Sequence, residues 1–241
     1  MIAVTFALPD ESGVFLKSIS DLRPDSGGAL PVYFGKLDGL EIAVLHTGVG
    51  MESAKDRLTT FLSVHRPDFM ISSGFAGGLD PALQIGALVV ANNYSSEALV
   101  ESTRHFFLKN RSVYFGFLTT QKIPAESIAS KSSLAFQTGA LAVDMETSAI
   151  AAACAAESVP LLSLRAVSDT ALQSLPIPFS VWFDPVAQKA RPSSLLLHLA
   201  MHPAGIPDFV RFVRGVFRAK KIMATHLRNL IVYLDKNDQS R

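Results

Sequence analysis

Gly139 to Thr170 reads GALAVDMETSAIAAACAAESVPLLSLRAVSDT, and the fold class follows from it. Leu141 to Val143 are apolar and of strand length. Asp144-Met145-Glu146-Thr147-Ser148 then crowd two carboxylates against two hydroxyls where a helix begins, an odd place to leave charge. Ile150 to Ala156 are strong helix formers without glycine or proline, and their small side chains predict a helix lying close against a sheet. Pro160 stops it. Leu161 to Val167 follow as a nearly continuous apolar run, the pattern of a strand buried on both faces in a parallel sheet. Ligands of such sheets collect beyond the carboxyl ends of strands, which makes Ser168 and Asp169 candidate site residues.

Upstream, Ile2 to Leu8 predict a first strand, and Pro9-Asp10-Glu11-Ser12 has the acids and hydroxyl of a helix start, with Val14, Phe15 and Ile19 as the apolar stripe. Leu22 to Ala29, with a proline and two glycines, predict a loop. Val32 to Phe34 and Glu41 to His46 predict a hairpin around Asp38-Gly39, and Met51 to Val64 a helix. Phe69 to Ser73 predict a buried strand that meets Gly74-Phe75-Ala76-Gly77-Gly78-Leu79; these glycines either admit a ligand close to the backbone or form a tight turn. Pro81 to Val90 lead into another strand. Residues 92 to 138 are less regular, with a strand over Val113 to Leu118 and a loop or short helix over Ile123 to Ser130. The expectation is an α/β fold: a single domain with a mixed, largely parallel twisted sheet flanked by helices.

With 241 residues, 49% of them hydrophobic, and a mean hydropathy of +0.29, the chain can bury a large core in one domain. A net charge of only +1 gives no case for a nucleic-acid partner. The single cysteine, Cys154, leaves no zinc-ligand spacing and no disulfide, and reads as a small buried thiol in a cytoplasmic protein. The scattered histidines ask for no ligand role, and no metal or organic cofactor is expected. The N-terminal apolar run is too short for a secretory signal, and no apolar stretch approaches the roughly 18 residues of a membrane span.

The charge is unevenly placed. Residues 186 to 241 hold ten Lys or Arg against three Asp, an excess of seven positive charges, so the remainder is negative by six. Pro176, Pro178 and Trp182-Phe183-Asp184-Pro185 predict an ordered excursion, and a helix follows over Ser193 to His202. A longer helix, Asp208 to Leu234, repeats Phe209, Phe212, Val213, Val216, Met223, Leu227, Leu230 and Leu234 at three- and four-residue spacing, with Arg211, Arg214, Arg218, Lys221 and Arg228 between them. This basic amphipathic helix packs either on the domain or a partner subunit, or against an anionic membrane surface.

Three blocks, HTGVGMESA (His46 to Ala54), PDFMISSGFAGGLDPALQIGALVVAN (Pro67 to Asn92) and AVDMETSAIAAACAAESVPLLSLRAVSDTA (Ala142 to Ala171), together resemble the purine nucleoside phosphorylase and nucleosidase superfamily. The resemblance covers about residues 1 to 175, taken as the catalytic domain, with 176 to 241 as a helical extension packed on it. It is nearest to the methylthioadenosine and adenosylhomocysteine nucleosidases, with their AGGL run, V-E-M-E helix start and R-A-[IV]-S-D strand end. It implies a small-molecule nucleoside substrate, release of adenine, no cofactor, and a homo-oligomer.

By the same resemblance Asp169 is the acid that protonates the purine at N7, a task for which burial would have to raise its pKa. Glu146 holds the ribose hydroxyls and Met145 packs on the sugar. Glu11 is the water-activating carboxylate, giving an acid and base pair like that of inverting glycosidases. Phe75, Ala76, Gly77 and Ser168 fall among the substrate-binding positions, and Ile123 is assigned to the base. Each acid also has a structural reading: Asp169 as a helix N-cap, Glu146 and Glu11 as first-turn acids. Asp144 is given no chemistry.

Departures bear on the reaction type. Phosphorylases of the superfamily place arginines just before the glycine loop and after the first strand to hold phosphate. Here Ser72-Ser73 and Pro9-Asp10-Glu11-Ser12 stand there, and an acid repels phosphate, so water is the expected nucleophile. Phe75 replaces a serine of the nucleosidases. Phosphorolysis, and a binding protein that has lost turnover, remain alternatives. The tail also resembles that of the adenosylhopane-processing subgroup, which implies an apolar pocket for a lipid-linked 5′ substituent.

Overall fold

A computed structural model of the chain describes residues 1–25 and 30–238. The elements run β1 (Ile2–Phe6), α1 (Pro9–Leu16), β2 (Ser20–Pro24), β3 (Val32–Leu37), β4 (Leu40–His46), α2 (Met51–Val64), β5 (Met70–Gly78), β6 (Leu88–Ala91), α3 (Glu97–Phe106), β7 (Val113–Gly116), β8 (Leu118–Thr120), α4 (Ile128–Thr138), β9 (Ala142–Asp144), α5 (Thr147–Ala156) and β10 (Leu161–Asp169). A short helix α6 (Phe179–Trp182), a small hairpin of β11 (Phe183–Asp184) and β12 (Lys189–Ala190), and helices α7 (Pro192–Met201) and α8 (Ile206–Asp238) complete the chain.

The main sheet has the order β2-β3-β4-β1-β5-β10-β6-β7, with β9 joining β5 and β8 joining β9. Its centre, β4-β1-β5-β10, is parallel, which is where continuous apolar runs belong because both faces are covered. The strands β2 and β3 of the hairpin side pair antiparallel to their neighbours, and β6 is antiparallel to β10 but parallel to β7, so the sheet is mixed. On one face α2 and α5 bury Leu58, Phe61, Ile150 and Cys154 against β1, β4, β5 and β10. On the other, α8 packs Met223, Leu227, Leu230 and Ile231 against the central strands, and α1 adds Phe15. The C-terminal half of α8 is therefore core.

Several local expectations are corrected. Leu22 to Pro24, expected as loop, belong to β2, which pairs with β3 at the sheet edge; residues 26–29 of that stretch lie outside those described. The α1 helix stops at Leu16, so Ile19 packs from beyond its end. Gly74 to Gly78 form no turn. They continue β5, pairing with β10 through Gly77, because the strand needs backbone and not side chain there. The run 113–118 splits into β7 and β8 at Phe117, and residues 92–138 carry two helices, α3 and α4. The apolar periodicity of α4 is weak, but it has terminal signals: the Ser127 hydroxyl accepts the Ser130 N–H at 3.0 Å, and Gly139 closes the helix in the left-handed region at φ 63°.

Candidate active site

The parallel centre of the sheet places the ends of β1, β5 and β10 side by side, and the loop entering α5 lies next to them. The result is one cavity of about 710 Å³ whose wall includes Glu11, Glu146 and Asp169. Met145, Phe75, Ala76, Gly77 and Ser168 line it as well. Ile123 does not: it is 76% exposed, while its neighbours Pro124 and Ala125 reach the wall.

Glu11 sits in the first turn of α1 but turns its carboxylate back toward β1. Its Oε2 accepts the backbone N–H groups of Ala7 at 2.9 Å and Leu8 at 3.3 Å. Gly74 of β5 lies against that carboxylate, where a Cβ would stand 3.4 Å from Oε2. Burial pushes the Glu11 carboxyl up to about 7, against the opposing pull of those N–H groups and of nearby Arg165.

Glu146 is the residue at which α5 begins, yet it makes no side-chain cap for that helix. Its Oε1 accepts the Gly50 N–H at 2.7 Å. Gly50 holds φ 90°, a conformation glycine adopts at no steric cost, and so the Gly48-Val49-Gly50 turn is shaped around this acid. Burial raises the Glu146 carboxyl, and the neighbouring Asp144 and Glu11 carboxyls push it the same way.

Asp144 and Arg165 form a pair beneath the site. Arg165 Nε donates to Asp144 Oδ2 at 2.9 Å, and its terminal nitrogens reach the Ser72 carbonyl at 2.7 Å, the Ser72 hydroxyl at 2.8 Å and Thr147 Oγ1 at 2.7 Å. Asp144 also accepts the Thr120 hydroxyl at 2.9 Å and the Thr147 hydroxyl. A buried charge pair with its hydrogen bonds filled holds α5, β5 and β10 together and leaves little capacity for a ligand.

Asp169 is brought to the wall by a bulge. The register of β10 on β5 shifts between Val167 and Asp169, so that Asp169 lies opposite Gly77. The Ser168 hydroxyl donates to Asp169 Oδ1 at 2.6 Å, and Lys131 of α4 donates to Oδ2. Lys131 was not foreseen, since a lone lysine among serines on a weakly periodic helix reads as a surface residue.

On the far side of the cavity the excursion, expected near the site, contributes to the wall, and helices α7 and α8 were not foreseen there. Leu195 of α7 and Phe209, Phe212, Val213, Val216 and Phe217 of α8 close it, with Trp182 and Phe183 from the excursion. A smaller recess of about 10 Å³, room for one water, lies between Thr5, Glu11, Ser73 and Glu146. The Thr5 and Ser73 hydroxyls have no hydrogen-bonding partner among the described residues. Among those residues no cluster of His, Cys, Asp or Glu could hold a metal ion. Cys154 is buried in the opposite core, and burial pushes its thiol up to about 12.

The fold has close relatives among solved structures. It superposes on a 5′-methylthioadenosine/S-adenosylhomocysteine nucleosidase from S. pneumoniae, solved with a transition-state inhibitor, with a TM-score of 0.75 at 16% identity, covering 97% of this chain and 99% of that one. The Campylobacter jejuni nucleosidase gives 0.73 at 20% identity over 95% and 97% of the two chains. The Neisseria meningitidis nucleosidase, in complex with methylthio-immucillin-A, gives 0.69 at 20% identity over 95% and 98%. The sequence profile of the phosphorylase superfamily matches residues 1–117 and 109–195. These matches span most of the chain and show that it belongs to the phosphorylase superfamily.

Proposed function

We propose that this protein hydrolyses the N-glycosidic bond of a purine nucleoside, releasing adenine from an adenosine with an apolar 5′ substituent. The observation that carries the reading is that Glu11, Glu146 and Asp169 line a single cavity. Breaking the bond leaves electron density on the base and positive charge on the ribose. Asp169, beside Gly77 and Ser168, protonates the base at N7. Glu146 accepts the ribose hydroxyls and favours the developing cation, with Met145 against the sugar. Glu11 removes a proton from the attacking water, and a carboxyl raised to about 7 is well matched to a base at neutral pH.

Water is favoured over phosphate by the charge around Glu11. Among the described residues, Lys220 on the cavity wall is tied to Asp10 at 2.6 Å, and Arg165 is engaged with Asp144. The polar recess beside Glu11 is sized for one water. The apolar wall of α7 and α8 supports a hydrophobic 5′ group, up to a lipid-linked adenosine.

α7 bears exposed Leu196, Leu197 and Met201, and α8 bears exposed Arg214, Arg218 and Lys221, which supports peripheral contact with anionic lipid. We assign the protein to the cytoplasm and expect a homo-oligomer. No helix among the described residues is long and apolar enough to cross a membrane.

The deciding experiment measures adenine release from a panel of 5′-substituted adenosines with and without phosphate. Release without phosphate, fastest with alkyl substituents, is expected. Strict dependence on phosphate establishes a phosphorylase, and tight binding in calorimetry without release of base establishes a nucleoside-binding protein.

A further inference from the structure

Lys131 lies on α4, outside every block that pointed to a site, yet its side chain is 0% exposed. Burying an ammonium group is costly unless its hydrogen bonds are met. All three are: Nζ donates to Asp169 Oδ2, to the Thr170 carbonyl at 2.8 Å and to the Gln173 carbonyl at 2.7 Å. Gly77 completes the arrangement, because a Cβ there would come within 3.3 Å of Asp169 Oδ2 and 3.8 Å of Lys131 Cε. With the Ser168 hydroxyl on Oδ1, both carboxyl oxygens are gripped by the protein at the cavity wall.

The other buried pair gives the contrast. A guanidinium is not a proton donor in catalysis, and the Arg165 donors spread over several elements, as a structural tie requires. A lysine whose ammonium touches the one carboxyl placed to protonate the base is chemically different, because an amine can give its proton up.

We propose that Lys131 is a positioning residue that holds the Asp169 carboxyl against the nucleobase and supplies the proton this carboxyl delivers. The inference rests on the glycosidase reading above. In the step, a proton passes from Lys131 Nζ to Asp169 and from the carboxyl to N7 of the purine. The electron pair of the C1′–N9 bond moves into the departing base. Lys131 becomes a neutral amine that keeps its two N–H bonds to the Thr170 and Gln173 carbonyls, with its lone pair toward Asp169. Water adds to the sugar cation and its proton goes to Glu11; a proton passed from Glu11 through solvent to Asp169, which lines the cavity, is handed back to Nζ and restores the ammonium group.

The test compares Lys131→Arg with wild type on two substrates carrying the same 5′ substituent: the adenosine, and a 4-nitrophenyl riboside whose leaving group departs without a proton. Arginine preserves the charge and the ion pair but does not release the proton. The expected result is a loss of about 100-fold in kcat for adenine release, with KM and 4-nitrophenol release within about threefold of wild type. Lys131→Met, run in parallel in case the guanidinium does not fit, is expected to show the same split between substrates. Wild-type adenine release by the arginine variant, or an equal loss on both substrates with a lowered Tm in both variants, overturns the proposal and leaves the glycosidase reading intact. A wild-type protein that cleaves neither substrate sinks both.

Discussion

The two ends of the cavity are built on different principles. At one end, three acids stand at or just past the ends of β1, β9 and β10: Glu11 is held by the backbone N–H groups of Ala7 and Leu8, Glu146 by the Gly50 N–H, and Asp169 by Ser168 and Lys131. At the other, a wall of phenylalanine, valine and leucine comes from two helices far along the chain and offers shape without direction. Under the proposed function the polar end works through charge and should tolerate little change, since each carboxyl is given one task. The apolar end works through excluded water and can be varied by a methylene at a time. In the proposed reaction the polar end sets the chemistry, and the apolar end sets which nucleoside reaches it.

Substitutions that separate the ends are ordered by expected size. Asp169→Asn keeps the shape of the side chain and removes its proton, and is expected to lower kcat for adenine release about 10²- to 10⁴-fold with little change in KM. Steady-state kinetics check it; an equal rise in KM would move Asp169 into the binding role. Glu11→Gln removes the base. Because the Glu11 carboxyl is raised to about 7, the ionised form declines as pH falls through that value. The kcat/KM of the wild type should then drop about tenfold per unit below pH 7, and the variant's small residual activity should lack this limb.

At the apolar end, Phe212→Ala is expected to weaken kcat/KM by about 10- to 100-fold for long alkyl 5′ substituents, and only a few-fold for a methylthio group. Equal losses across the panel would show that the far wall does not contact the substituent.

The smallest effect is on stability. A carboxyl with a folded pKa above its unfolded value binds more protons in the native state, so its contribution is lost as pH rises from about 4.5 to 7. The Glu11 shift corresponds to at most about 3 kcal/mol, and Glu11→Gln should flatten the fall in Tm over that window. A Tm profile unchanged by the substitution would mean that the carboxyl is well solvated.

How far each end could be read before folding follows from its construction. Asp144 to Ser148 and Arg165 to Asp169 are contiguous, and acids at a strand end or helix start stand out against an apolar background. Glu11 read by itself as a helix-start acid, and only the family resemblance made it a site candidate. The glycines of β5 were visible as a close approach, but whether they turned or ran on as strand depended on β10 being there to pair with them. Lys131 carried no signal at all. A lysine's burial is decided by acceptors supplied from 38 to 42 positions away, and nothing in IASKSSLAFQT distinguishes it from a solvated one.

α8 shows the same division within one helix. Its three- and four-residue spacing was enough to predict an amphipathic helix with a basic face. That its C-terminal half would be core, and its N-terminal half a cavity wall with Phe217 still 53% exposed, was not in the periodicity. The sequence by itself determined the local choices: which runs become strands, where helices begin, and which acids stand at their ends. Only the tertiary structure decided which of those acids share a cavity, which cation stands behind each, and what closes the other side. The physical reason is that backbone periodicity is a property of neighbours along the chain, whereas desolvation and charge pairing are set by whatever the folded chain brings within a few ångströms.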